Sequence, residues 1–230
     1  MLLKNFKTKS VKAILGIALI SIFLMYLIEV VISAGYINKS VIKIVLFLIV
    51  PIIYTLFDKT IKVRDYFKIK SWKSLGYSFL LGIGIYMGIL GVYFILKSFI
   101  DLSNIIAMLD RKAGVDKDNF IWIALYISLI NSLLEEFFFR GFIFLNLKKT
   151  SVRKFAYLVS TLVFSVYHVA IMGSWFDPII FIVAMVGLFV GAFIFNFLNE
   201  KEENIYNSWI VHMMANLSIN TVGLMMFGIL

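Results

Sequence analysis

The chain has 230 residues, of which 62% are apolar and 15% charged, and its mean hydropathy is +0.97. Soluble domains are close to half apolar and a quarter charged, so composition excludes a soluble globular domain and a disordered chain. A net charge of +9 raises nucleic-acid binding, but in so apolar a chain the basic residues are topology signals first, and no nucleic-acid partner is expected. The absence of Cys removes disulfides, thiol nucleophiles and thiolate metal sites.

A hydrocarbon layer about 30 Å thick takes roughly 20 apolar helical residues to cross. Such segments run over Ala13–Ser33, Val41–Phe57, Leu75–Leu96, Phe120–Leu147, Phe155–Met172, Pro178–Leu198 and Ile205–Leu230. They predict an all-α polytopic transmembrane helix bundle of about seven spans, forming a single integral-membrane domain over 1–230. The first segment follows four Lys residues. Its apolar run exceeds a signal-peptide core and Ser33-Ala34-Gly35 is a poor cleavage site, so it reads as a span. The fourth, at 28 residues, is too long for a simple crossing and is expected to be tilted or broken. Between the second and third, Asp58–Lys73 mixes basic residues with Ile61, Val63, Tyr66, Phe67, Ile69 and Trp72. It reads equally as an amphipathic surface helix or a solvated basic loop.

Charge orients the bundle. Fifteen basic residues fall in the N-terminal tail and the connections Asp58–Lys73, Lys148–Lys154 and Glu200–Glu203, against five (Lys39, Lys97, Arg111, Lys112, Lys117) on the opposite side. The positive-inside rule then places the N-terminus in the cytoplasm. The connection Glu200–Glu203 holds three Glu and one Lys, but acidic residues count little in this rule. No internal repeat is present, which gives no support to an inverted-repeat transporter.

Ionisable groups within the hydrocarbon layer cost several kcal/mol and need a reason. They are Glu29, Lys43, Glu135, Glu136, Arg140, His168 and His212, with Asn131, Asn216 and Asn220 as uncharged companions. Glu29 and Lys43 stand near span ends and read as structural, with Lys43 reaching the interface along its stem. The fourth span is different, since two adjacent carboxylates and an Arg sit among apolar residues. Glu136 and Arg140 lie four apart and face each other. Glu135 is turned by about 100° from Glu136, which leaves it available for chemistry. The only two His residues of the chain both lie in spans, His168 four residues after Phe164 and His212 four before Asn216. Glu135 and His168 lie 13 and 14 residues from the flanking Lys148 and Lys154, about 20 Å deep. His212 lies about 12 Å deep by the same measure. Either the seventh helix starts deeper than drawn, or the site is a funnel.

A carboxylate, two imidazoles and an amide suit amide hydrolysis. Glu135 serves as general base toward water, and His168 orients that water or protonates the leaving amine. His212 and Asn216 form a donor pair for the developing oxyanion. Zinc is the rival: Glu135, His168 and His212 are a known type of catalytic zinc set, although HExxH is absent. Both readings stay open here. A Ser triad is disfavoured by the absence of GxSxG.

Glu135-Glu136-x-x-x-Arg140, Phe164-x-x-x-His168 and His212-x-x-x-Asn216, in that order on separate helices, resemble the CAAX-protease and bacteriocin-processing (CPBP, or Abi) family of intramembrane proteases. The resemblance covers about residues 120–220, the motif-bearing catalytic core. It implies an endopeptidase in which Glu135 activates water and His168, His212 and Asn216 complete the site. Glu136, Arg140 and Phe164 support it. Members are described both as metalloproteases and as glutamate proteases. The resemblance implies a compact, multi-pass member of a bacterial plasma membrane, acting on a peptide or a lipidated, membrane-anchored protein. The other readings are a bacteriocin-immunity protein acting by binding, and a transporter using the same buried charges.

Overall fold

The computed structural model describes residues 2–98, 114–173 and 178–230, with the isolated positions Ile106 and Leu109. Arg111 and Lys112, counted above on the less basic side, lie outside them. Among the described residues there is no strand. The long helices are α1 (Leu2–Tyr26, prolonged by a wide turn at Leu27–Val31), α2 (Tyr36–Phe57), α3 (Trp72–Leu96), α4 (Phe120–Thr150), α5 (Arg153–Met172), α6 (Pro178–Glu202) and α7 (Tyr206–Met226). The chain is an all-α polytopic membrane protein.

Six of these helices are long and apolar enough to cross a membrane. The expected seventh span, α7, has the length, 21 residues, or about 31 Å, but not the apolarity. Its polar side chains are spent on neighbouring helices. Asn207 Nδ2 donates to Ser74 Oγ at 2.6 Å and Ser218 Oγ to the Tyr86 carbonyl at 2.8 Å, both on α3. Asn220 Nδ2 donates to Ser128 Oγ at 3.0 Å, and Trp209 Nε1 to Ser132 Oγ at 3.1 Å, both on α4. Hydrogen bonds between helices satisfy groups that lipid cannot. The outward faces carry the opposite chemistry, with Leu19, Ile20, Phe23, Leu80 and Phe197 exposed to the bilayer.

α4 is the central helix, continuous over 31 residues rather than broken. Its turns widen at Tyr126–Asn131 and Glu136–Leu145. Wide turns of this kind concentrate at functional positions. Every residue from Leu134 to Leu147 is buried. Phe47 of α2 stacks on Phe138 of α4, with centroids 4.2 Å apart and planes 3° from parallel. This aromatic pair fixes how α2 meets the centre.

The connection before α3 is neither an amphipathic helix nor a fully solvated loop. A 3-10 turn at Val63–Phe67 drives Tyr66 into the core, where it is 1% exposed. Its hydroxyl accepts from Asn146 Nδ2 at 2.6 Å, and its carbonyl accepts the Ile205 N–H at 3.0 Å. Gly141 faces the ring so closely that a Cβ there would lie 2.9 Å from Tyr66 Cδ2. Gly141→Ala is therefore expected to destabilise the fold by about 1–3 kcal/mol through overpacking. Thermal unfolding in detergent checks this, and pairing with Tyr66→Leu should recover part of the loss.

The acidic connection after α6 also has a physical account. Glu200 is gripped by Arg153, with Nη2 to Oε2 at 2.7 Å, and Glu203 pairs with Lys70 at 3.1 Å and Lys148 at 3.6 Å. The hydrogen bond from the Lys70 ammonium holds the Glu203 carboxyl below its ordinary range. These connections therefore share one end of the bundle. Ser10 at the start of the first span joins that end through Asp58, Oγ to Oδ2 at 2.5 Å.

Candidate active site

Three helices bring the predicted residues together, and a fourth adds one that the sequence reading left out. α4 supplies Glu135, Glu136 and Arg140, which are 2%, 0% and 0% exposed. α5 supplies Phe164 and His168, α7 supplies His212, and α2 contributes Lys43.

The inner layer is a locked ion pair. Arg140 Nη1 lies 3.2 Å from Glu136 Oε1, the pairing that the four-residue spacing predicts. Its guanidinium carbon lies 4.2 Å from the Phe164 ring centre and 4.8 Å from that of Phe195. Among the described residues none of its nitrogens has a geometrically aligned hydrogen-bond partner, so charge and ring faces hold it. Glu136 is further bound on Oε2 by Ser208 Oγ and on Oε1 by His212 Nδ1, the latter at 2.9 Å.

The outer layer centres on Glu135, whose two oxygens have different surroundings. Oε1 accepts from Asn131 Nδ2 at 3.0 Å and from Lys43 Nζ at 3.3 Å. Oε2 faces His168 Nε2 at 3.9 Å and His212 Nε2 at 3.8 Å. His168 Nδ1 lies 2.8 Å from the Phe164 carbonyl. A carbonyl only accepts, so Nδ1 bears a proton, and in the neutral form of the ring Nε2 then offers its lone pair to the centre. The same logic applies to His212, whose Nδ1 donates to Glu136. Rings clamp both: Phe164 lies 4.4 Å from His168, and Phe195 stacks on His212 at 5.1 Å.

Glu135, His168 and His212 thus meet at one layer, and the depth mismatch for His212 disappears. α7 starts inside the protein, with Ile205 0% exposed and Ser208 0% exposed. Asn216 stands one turn further along. Its Nδ2 points to the Ile127 carbonyl at 3.4 Å, beside the first wide stretch of α4. Two contributors, Lys43 and Phe195, escape sequence reasoning, and a third, Asn131, is open to it. Lys43 turns inward instead of reaching its span end, Asn131 bridges it to Glu135, and Phe195 completes the aromatic clamp. Phe195 carries no signal in a chain with 23 Phe. Asn131 was legible as a polar residue four positions before Glu135 on the same helical face.

One carboxylate oxygen and two imidazole lone pairs suit a divalent cation by donor type. Their surroundings suit it less. The Lys43 ammonium already compensates the carboxylate, and among the described residues no group of three His, Asp or Glu is arranged to hold an ion.

Fold and site together define a polytopic membrane protein with a carboxylate–imidazole centre enclosed by its helices. Residues 117–218 match the family model described as Type II CAAX prenyl endopeptidase Rce1-like. This segment contains all three motifs, and over it the chain is similar to the CAAX-protease family. The helices α1–α3 lie outside the match. No curated protein and no solved structure matches the chain.

Proposed function

We propose that the protein is an intramembrane endopeptidase that hydrolyses a peptide bond in a membrane-associated precursor peptide or lipid-anchored protein, with Glu135 activating the water. The observation that carries this reading is the convergence of Glu135 Oε2 with both Nε2 lone pairs, 3.9 and 3.8 Å away. Both Nε2 atoms lie within reach of a water bound at Oε2, and with neutral rings that water can donate its protons to two of these three acceptors. Glu135 and Glu136 are matched in charge by Lys43 and Arg140, so each buried carboxylate has its own cation.

In the reaction, Glu135 Oε2 takes a proton from water as its oxygen attacks the substrate carbonyl carbon, and the carbonyl electron pair moves to oxygen. The second Asn216 N–H is suited to receive that oxyanion. Collapse breaks the C–N bond, and the proton held by Glu135 passes to the leaving nitrogen by way of His168. The products are a new carboxyl terminus and a new amine. His212, tied to Glu136, orients the water.

We read this as water activation without a required metal, supported by the Lys43 charge beside Glu135. Mass spectrometry of membrane peptides from cells carrying wild type or Glu135→Ala tests the function. Peptides whose new termini appear only with wild type support it, and identical peptide sets reject it. Activity of the purified protein is expected to survive a strong zinc chelator. Loss reversed by added zinc would overturn the metal-free reading and leave the peptidase.

A further inference from the structure

We propose that Lys43 is a positioning residue of this site, supplied by α2 from outside the family-matched segment. It holds Oε1 of Glu135 so that Oε2 alone is presented to the histidines and the water. The proposal rests on the hydrolytic reading of Glu135.

Lys43 lies among Val41, Ile42, Ile44 and Val45 near a span end. A Lys in that position ordinarily extends its stem to the interface. Here the side chain is 11% exposed and turned inward, against the cost of placing an ammonium inside the bundle. The geometry shows what compensates. Nζ donates to Asn131 Oδ1 at 2.8 Å and to Glu135 Oε1 at 3.3 Å, and lies 5.1 Å from the Tyr167 ring centre. Asn131 closes the triangle by donating Nδ2 to the same Oε1 at 3.0 Å.

The consequence for chemistry follows from carboxylate geometry. The terminal torsion of Glu is broad and nearly two-fold, so an unrestrained carboxylate does not fix which oxygen faces a given partner. Two donors on Oε1 remove that freedom. The stacked Phe47–Phe138 pair fixes the approach of α2 to α4, so the reach of Lys43 is fixed as well. Arg140 plays the corresponding part for Glu136, and each of the two buried carboxylates has its own cation.

The test uses full-length protein in liposomes and an internally quenched peptide spanning a bond that wild type cuts in the membrane digest. Lys43→Met is expected to lower kcat per folded molecule by about 10- to 100-fold with KM within about two-fold, because a displaced base affects the chemical step rather than binding. Lys43→Arg should recover part of the loss. A purely structural Lys43 would reduce the amount of folded protein and leave kcat per folded molecule unchanged, and that result overturns the proposal. Where Lys43→Met does not fold, Lys43→Arg and Asn131→Ala carry the test. Lowered kcat with unchanged KM in either supports the assignment, and wild-type kcat in both overturns it. A wild type that cleaves no peptide removes the hydrolytic reading and this assignment with it.

Discussion

Glu135→Gln is expected to reduce cleavage by about 10²- to 10⁴-fold, the usual contribution of a positioned general base. The amide keeps the size of the side chain and can still accept from Asn131 and Lys43 through one oxygen. It has no second oxygen able to take a proton from water at the position now facing His168 and His212, 3.9 and 3.8 Å away. The substitution has a second effect, on stability. Lys43 then keeps a buried charge without its counter-ion, and breaking a buried pair from one side costs about 3–5 kcal/mol. The two effects separate in the double variant. Adding Lys43→Met to Glu135→Gln should recover much of the thermal stability and none of the activity. Recovery of activity in the double variant would show that the single variant had lost only its fold.

Arg140→Met is expected to be the most damaging single change to the fold, again about 3–5 kcal/mol. It leaves Glu136, 0% exposed, without its cation. Arg140→Lys should rescue poorly, because an ammonium does not reproduce a planar guanidinium held between the Phe164 and Phe195 faces at 4.2 and 4.8 Å. Glu136→Gln combined with Arg140→Met should restore folded protein, since the amide oxygen still accepts from His212 or Ser208 while the unpaired charge is gone. Size-exclusion profiles in mild detergent, read as the monodisperse fraction, check each variant. A monodisperse, thermally normal Arg140→Met would contradict the ion pair as a structural lock.

Much of this centre is legible in the sequence because local spacing dictates it. Glu136 and Arg140 meet because residues four apart share a helix face, and Glu135 and Glu136 diverge because neighbours are turned by about 100°. The two His residues stand out as the only ones in the chain, both within apolar segments. What escapes is set by the packing of distant segments. Lys43 is 92 residues from Glu135, and nothing within α2 signals that its stem turns inward. Tyr66 reads as one of several aromatics in a basic connection, and only the close approach to Gly141 shows that it plugs the core. The Asn and Ser residues of α7 stand in the sequence, but what they bind does not. The same Asn and Ser residues that lower its apolarity are the ones that join it to α3 and α4.

The central claim is that the Glu135–His168–His212 cluster delivers a solvent water to a peptide bond. Its most direct test is cleavage by the purified protein in liposomes run in water enriched in oxygen-18, with the new carboxyl terminus read by mass spectrometry. Wild type is expected to place a solvent oxygen in that terminus, while Glu135→Gln and His168→Ala, folded by thermal unfolding, yield almost no product. Undiminished cleavage by folded Glu135→Gln, or a new terminus without solvent oxygen, would contradict the account.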